Sequence, residues 1–209
     1  MFRKRMARFL ALISLIAATV ALQACGAKKS PEESCNFVQN GEQQRVSWGA
    51  QVPVILYVDR SVPSVFYDSI SRAVTEWNHR VGREVMKIGG WAVNTTGVPA
   101  QDGQNVIYMM SEWEADKSNE QARTTVYWAG DRIYEADIRI DDRNFDFSWG
   151  VDPEIDKVDM QSLMLHEFGH VMGLSHSVTP QSVMARSLPN ATKRRELSVA
   201  DQNSIRCEY

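Results

Sequence analysis

The chain is sparing with several residue types, and each scarcity narrows the reading. Its 209 residues include only seven prolines and twelve glycines, which excludes a collagen-like or Pro-rich assembly. It has no basic excess: 23 Lys and Arg face 26 Asp and Glu, for a net charge of −3. Nucleic acid is therefore not an expected partner. The uncharged apolar run at residues 9–22 is shorter than the roughly 20 residues needed to span a bilayer. With 44% hydrophobic and 23% charged residues, the rest has the composition of one ordinary globular domain able to bury a core. Two scarce types remain to be explained, three cysteines and four histidines. The odd cysteine count needs an account.

The first cysteine lies in a leader. Arg3, Lys4, Arg5 and Arg8 precede the apolar run, the order expected of a secretory signal. The run ends in Leu22-Gln23-Ala24-Cys25, which resembles the lipobox of bacterial lipoproteins. That resemblance implies a signal peptide over residues 1–24 and a lipid on Cys25 as the new N-terminus. Plain secretion with cleavage near Ala24 is the alternative. Gly26 is similar to the outer-membrane sorting pattern of Gram-negative lipoproteins. The expected location is the cell envelope or the extracellular space, with the membrane touched only through the anchor. Without the leader, 19 basic residues face 26 acidic ones, a soluble surface. Cys35 and Cys207 then remain in an oxidising compartment, where a disulfide between them is expected. Two unpaired thiols are the alternative.

Residues 25–44 are polar and aperiodic, suiting a tether, so the domain is expected over residues 45–209. Residues 52–58 form an apolar, strand-favouring run. Residues 64–80 carry helical spacing through Val65, Ile70, Ala73, Val74 and Trp77, with Ser64 as the expected N-cap. Strands are expected at 84–93 and 105–113. Two more at 123–128 and 132–140 flank Ala129-Gly130-Asp131 as a hairpin. Residues 141–159 read as an acidic loop. A helix follows from about residue 160 to 174, ending at glycine. Ser198 and Asp201 open a last helix in capping-box spacing. These elements describe one α+β domain with a mixed sheet.

Residues 166–176 read His-Glu-Phe-Gly-His-Val-Met-Gly-Leu-Ser-His. On a helix, His166 and His170 project from one face, one turn apart, the separation at which two imidazoles bind one metal ion. Glu167 can reach a water at that metal without taking a coordination position. Gly173 permits a sharp turn, so that His176 returns as a third ligand. Three neutral imidazoles with one open position make a catalytic zinc site and not a structural one.

This string resembles the long zinc-binding motif of the metzincin metalloproteases. Met184, eight residues past His176, is similar to their Met-turn, an apolar floor beneath the metal. Ser177 after the third His looks like the matrixins, as do Leu197-Ser198-x-x-Asp201 and Ala73-Val74-Thr75-Glu76-Trp77. The resemblance spans about residues 45–209. It implies a mixed, mostly parallel five-stranded sheet with an antiparallel edge strand and three helices. It also implies one catalytic Zn2+ held by His166, His170 and His176, with Glu167 as general base in peptide-bond hydrolysis. A peptide or protein substrate would lie along the edge strand at Arg123, Thr124, Thr125, Val126 and Tyr127. The segment from Met184 to about Arg195 would wall the pocket for the side chain after the cut bond. Cys35 lacks the surroundings of the matrixin latency cysteine, so no cysteine switch is expected. A second, structural zinc is not expected either, since His79 is the one further histidine. Asp137, Asp141, Asp142 and Asp146 either offer hard oxygen ligands for Ca2+ or form an acidic surface loop. The expectation is a monomeric zinc endopeptidase. A catalytically silent zinc-binding lipoprotein, acting as a binding or scaffold module, is the alternative.

Overall fold

The computed structural model describes residues 35–209. The leader, Cys25 and the first part of the expected tether lie outside the described residues. None of the helices described is long and apolar enough to cross a membrane.

Five strands, β1 (Val54–Asp59), β2 (Met86–Val93), β3 (Asn105–Met110), β4 (Ala122–Ala129) and β5 (Arg132–Asp141), form one sheet in the order β2-β1-β3-β5-β4. Every pairing is parallel except the β4–β5 hairpin, which puts an antiparallel strand at the edge. The hairpin turns on Gly130 and Asp131, and Gly130 takes the positive φ of +60° that a tight turn between twisted strands demands. Strand β3 is buried on both faces, with Val106, Ile107, Tyr108 and Met109 at 7% exposure or less, which accounts for its continuous apolar run. Strand β1 buries Leu56 and Val58 on one face and leaves Ile55 partly exposed on the other.

Three helices complete the domain: α1 (Tyr67–Val81), α2 (Met160–Val171) and α3 (Val199–Ile205). The first turns its apolar stripe of Ile70, Ala73, Val74 and Trp77 inward, and Trp77 Nε1 donates to the Leu165 carbonyl of α2 at 3.1 Å. Ser64 does not cap it. A 3-10 turn at Ser64–Phe66 intervenes, so α1 proper starts at Tyr67 and the N-cap position falls to Phe66. Helix α2 is the buried centre of the molecule, enclosed around nearly its whole circumference, with polar Gln161, Ser162 and Glu167 among its buried residues. Its N-cap is Asp159, which accepts from Ser162 N at 2.9 Å. Two carbonyls at its far end, on Val171 and Met172, accept from Trp48 Nε1 and the Tyr209 hydroxyl at 2.7 and 3.0 Å, which meets the needs of a buried helix terminus. Ser198 and Asp201 close a reciprocal capping box on α3.

Two expectations are corrected. Residues 35–44 belong to the domain and not to a tether. Cys35 and Phe37 are 5% exposed, Phe37 pairs with Leu174, and Gln39 pairs with Arg45. This pairing is long-range, so no local periodicity announces it. The acidic loop at 141–159 is not wholly irregular. It holds the two-residue parallel pair β6 (Phe147–Ser148) and β7 (Val158–Asp159).

Candidate metal centre and cleft

Helix α2 presents His166 and His170 on one face, and the chain reverses at Gly173. The φ there is +94°, and a Cβ would lie 2.3 Å from the Val46 carbonyl oxygen, so only glycine fits. The reversal returns His176 toward the helix. The Nε2 atoms of His166 and His176 lie 3.1 and 3.2 Å from that of His170. Three nitrogens at zinc-ligand distance in a tetrahedral set would stand about 3.3 Å apart. Among the described residues, this is the one group of His, Cys, Asp and Glu side chains placed to hold a metal ion.

The protonation pattern suits a cation. His166 Nδ1 and His170 Nδ1 donate to the carbonyls of Val183 and Leu174, both at 2.8 Å. These bonds commit the tautomer and aim the Nε2 lone pairs at a common point. Burial pushes the His166 and His176 imidazoles down to about 4, and lowers His170 as well. The three rings are thus neutral near pH 7, the form in which imidazole ligates. Lone pairs facing one another at such distances repel unless a cation lies between them.

Glu167 is 3% exposed. Its Oε2 accepts from the Thr124 hydroxyl at 2.6 Å. Burial raises its carboxyl above the ordinary carboxylate range, while the His170 ring and that hydroxyl pull the other way. Met184 is fully buried and packs against Gly169, where a Cβ would stand 2.1 Å from the methionine sulfur. The turn carrying it is held by Asp201, whose carboxylate accepts from Val183 N at 3.0 Å and from the Ser182 hydroxyl. The α3 cap and the turn under the histidines therefore share one carboxylate.

A cleft of about 1010 Å³ runs between β4 and the segment 185–190, with the three histidines and Glu167 in its wall. Of the residues expected along the edge strand, Arg123, Thr124 and Val126 line it. Thr124 and Val126 share one face of the strand. Thr125 and Tyr127 fall on the other and do not line the cleft, Tyr127 stacking on Tyr134, while Arg123, of that same other face, lines it near the start of the strand beside Glu120. Arg123 is engaged by Glu120 and Glu114. Arg139 shares Glu114, at 2.9 Å, and covers the Trp113 ring at 4.7 Å. Away from the cleft, Cys35 and Cys207 are joined in a disulfide. The four aspartates do not converge as a metal-binding group. Asp137 is buried in β5, and Asp141 accepts from Arg143 N and Asn144 within its own loop. His79 is exposed on α1.

Two features of the cleft escaped the sequence reading. Gln121 Nε2 donates to the Leu188 carbonyl at 2.8 Å, linking the two walls. Arg186 lines the cleft two residues past Met184, and a charge so close to a buried turn was its only sequence signal.

The sequence model of the matrixin family matches residues 100–209, the half of the chain that holds β3 to β5, the histidines and α3. Metalloendoproteinase 1 of Glycine max is 35% identical over 57 residues. That stretch covers 27% of this chain and 19% of the soybean protein, so the likeness spans about a fifth of the relative's length.

Proposed function

The chain belongs to the matrixin family, and from that premise we propose that it is a zinc-dependent endopeptidase. His166, His170 and His176 would hold the ion, and Glu167 would act as general base. The observation that carries this reading is the meeting of three Nε2 atoms beside a buried carboxylate, in a cleft bordered by a free sheet edge. Zinc bound there would supply Lewis-acid activation of a water and of the scissile carbonyl.

The chain's own residues do the rest. Glu167 takes a proton from the attacking water and returns it to the leaving amine nitrogen. Burial raises the carboxylate's proton affinity toward what that exchange needs, and Thr124 orients it. Among the described residues strand β4 has no partner on its outer side, so an extended peptide can add to it through main-chain hydrogen bonds. Leu163 and the 185–188 segment, which line the cleft, would receive a side chain next to the cut bond.

Peptide cleavage and zinc content, measured in the wild type and in Glu167→Ala, test the reading. The variant is expected to keep one zinc and to lose turnover by about a hundredfold or more. Equal activity in the two would remove Glu167 from the mechanism. Zinc without cleavage in the wild type would favour the silent binding module. A lipid on Cys25, expected from residues 22–26, belongs to the same proposal, and Cys25→Ser should release the protein from the membrane fraction.

A further inference from the structure

The proteolytic reading leaves the charge of the cleft unexplained. Three arginines near it are neutralised or have none of their charge to spare. Arg123 is paired with Glu120 and Glu114, Arg139 with Glu114, and Arg195 with the buried Asp159. Arg186 differs. It is exposed, lines the cleft, and has neither an ion pair nor a hydrogen bond among the described residues. Its backbone is firmly placed, because Ala185 N donates to the Ser182 carbonyl at 3.1 Å and Ser177 N to the Met184 carbonyl at 2.7 Å. Behind the same wall, Arg194 donates to the Ser187 carbonyl at 3.2 Å, and its charge is answered by the buried carboxylate of Asp201, which leaves Arg186 as the unanswered cation of this wall among the described residues. On the opposite wall, Glu120 is held by Arg123, and Asp116 stands beside Lys117. The 185–188 wall is therefore the side with uncompensated positive charge.

We propose that Arg186 selects peptides that carry a carboxylate on the side of the scissile bond served by the 185–188 wall. This narrows the substrate class and rests on the endopeptidase reading. The carboxylate is either an Asp or Glu side chain or the C-terminus of the substrate. A guanidinium meets either one through two parallel hydrogen bonds. A peptide filling the cleft displaces water, and the pair strengthens as it does so. Because Arg186 is exposed, added salt should weaken the selection.

The test uses the full chain and a series of peptides with Glu or Gln at each of three positions on either side of the cut. Each is made as the free acid and as the C-terminal amide. The wild type is expected to cleave at least one Glu peptide about tenfold faster than its Gln partner. Arg186→Ala should bring that ratio close to one, and Arg186→Glu should invert it. A preference kept in the amides assigns the side-chain carboxylate, and one confined to the free acids assigns the C-terminus. Equal ratios in the wild type and Arg186→Ala overturn the proposal. Binding of the same peptides to Glu167→Ala, alone and combined with Arg186→Ala, gives a readout independent of turnover. A preference for Glu that requires Arg186 supports the proposal even if no peptide is cut, in which case only the proteolytic reading fails. Binding indifferent to Arg186 overturns it.

Discussion

The hydroxyl of Thr124 donates to Oε2 of Glu167 at 2.6 Å, so the strand that borders the cleft also holds its buried carboxylate. Thr124→Val keeps the shape and removes the donor. A buried acceptor left without its partner costs about 1–2 kcal/mol, so kcat is expected to fall about five- to thirtyfold, with KM and zinc content little changed. Thr124→Ser should restore most of the loss. Steady-state kinetics on one peptide decide the matter, and an unchanged kcat in Thr124→Val would mean that the contact has no part in turnover.

The segment 35–38 is bound to the chain just past α2, through Val38 N to the Gly173 carbonyl and Ser175 N to the Asn36 carbonyl, both at 2.8 Å. The disulfide to Cys207 holds that segment in place. Replacing both cysteines by serine should cost about 2–5 kcal/mol of stability, read from urea unfolding. Zinc affinity should fall with it, since His176 lies on the loosened stretch. A variant as stable as the wild type would show that the non-covalent contacts alone suffice.

Asp159 is fully buried, caps α2, and is paired with Arg195, which also donates to the carbonyls of Gly150 and Val151 at 2.7 and 3.1 Å. Arg195→Ala would leave that carboxylate buried without its counter-ion. A destabilisation of about 3 kcal/mol is expected, and thermal unfolding measures it. The double variant Asp159→Asn with Arg195→Ala should recover part of the loss, which distinguishes the stranded charge from simple loss of packing.

Asp137 is 1% exposed. Its Oδ1 accepts from Val106 N at 3.0 Å, and its Oδ2 has no partner among the described residues. Burial pushes its carboxyl from the ordinary 3.8 up to about 6, Val106 opposes the shift, and Glu135 and Asp102 add to it. A folded pKa above the unfolded one means that the folded chain holds the proton more tightly. The contribution is therefore fully present below about pH 4 and is lost as pH rises to about 6. Asp137→Asn removes that dependence. Relative to the wild type, its stability should rise by about 3 kcal/mol across this window and then stay level. Urea midpoints taken at several pH values test this, and parallel curves for the two proteins would contradict it.

The parts of the molecule that could be read from sequence are those governed by local rules. Helical spacing places His166 over His170, a glycine follows where the chain must reverse, and the capping box at Ser198 and Asp201 involves neighbours alone. Alternation and turn chemistry are enough to find the β4–β5 hairpin. What could not be read depends on pairings far apart in the chain. Thr124 and Glu167 are 43 residues apart, and nothing local to either names the other. Phe37 and Leu174 likewise meet only through the fold, so a polar, aperiodic stretch passed for a tether. Strand periodicity could have separated Thr124 and Val126 from Thr125 and Tyr127, which lie on opposite faces, but it would have missed Arg123, which lines the cleft from the Thr125 face.

The Cys35–Cys207 bond makes a closed covalent ring of nearly all the described chain. Under the proposed endopeptidase activity this changes what self-digestion can do. One nick in an exposed loop between the two cysteines opens the ring without freeing a fragment, so the halves stay at high effective concentration and the metal ligands stay on one molecule. Such nicked material would run at full mass until reduced, and only reduction would reveal where it had been cut.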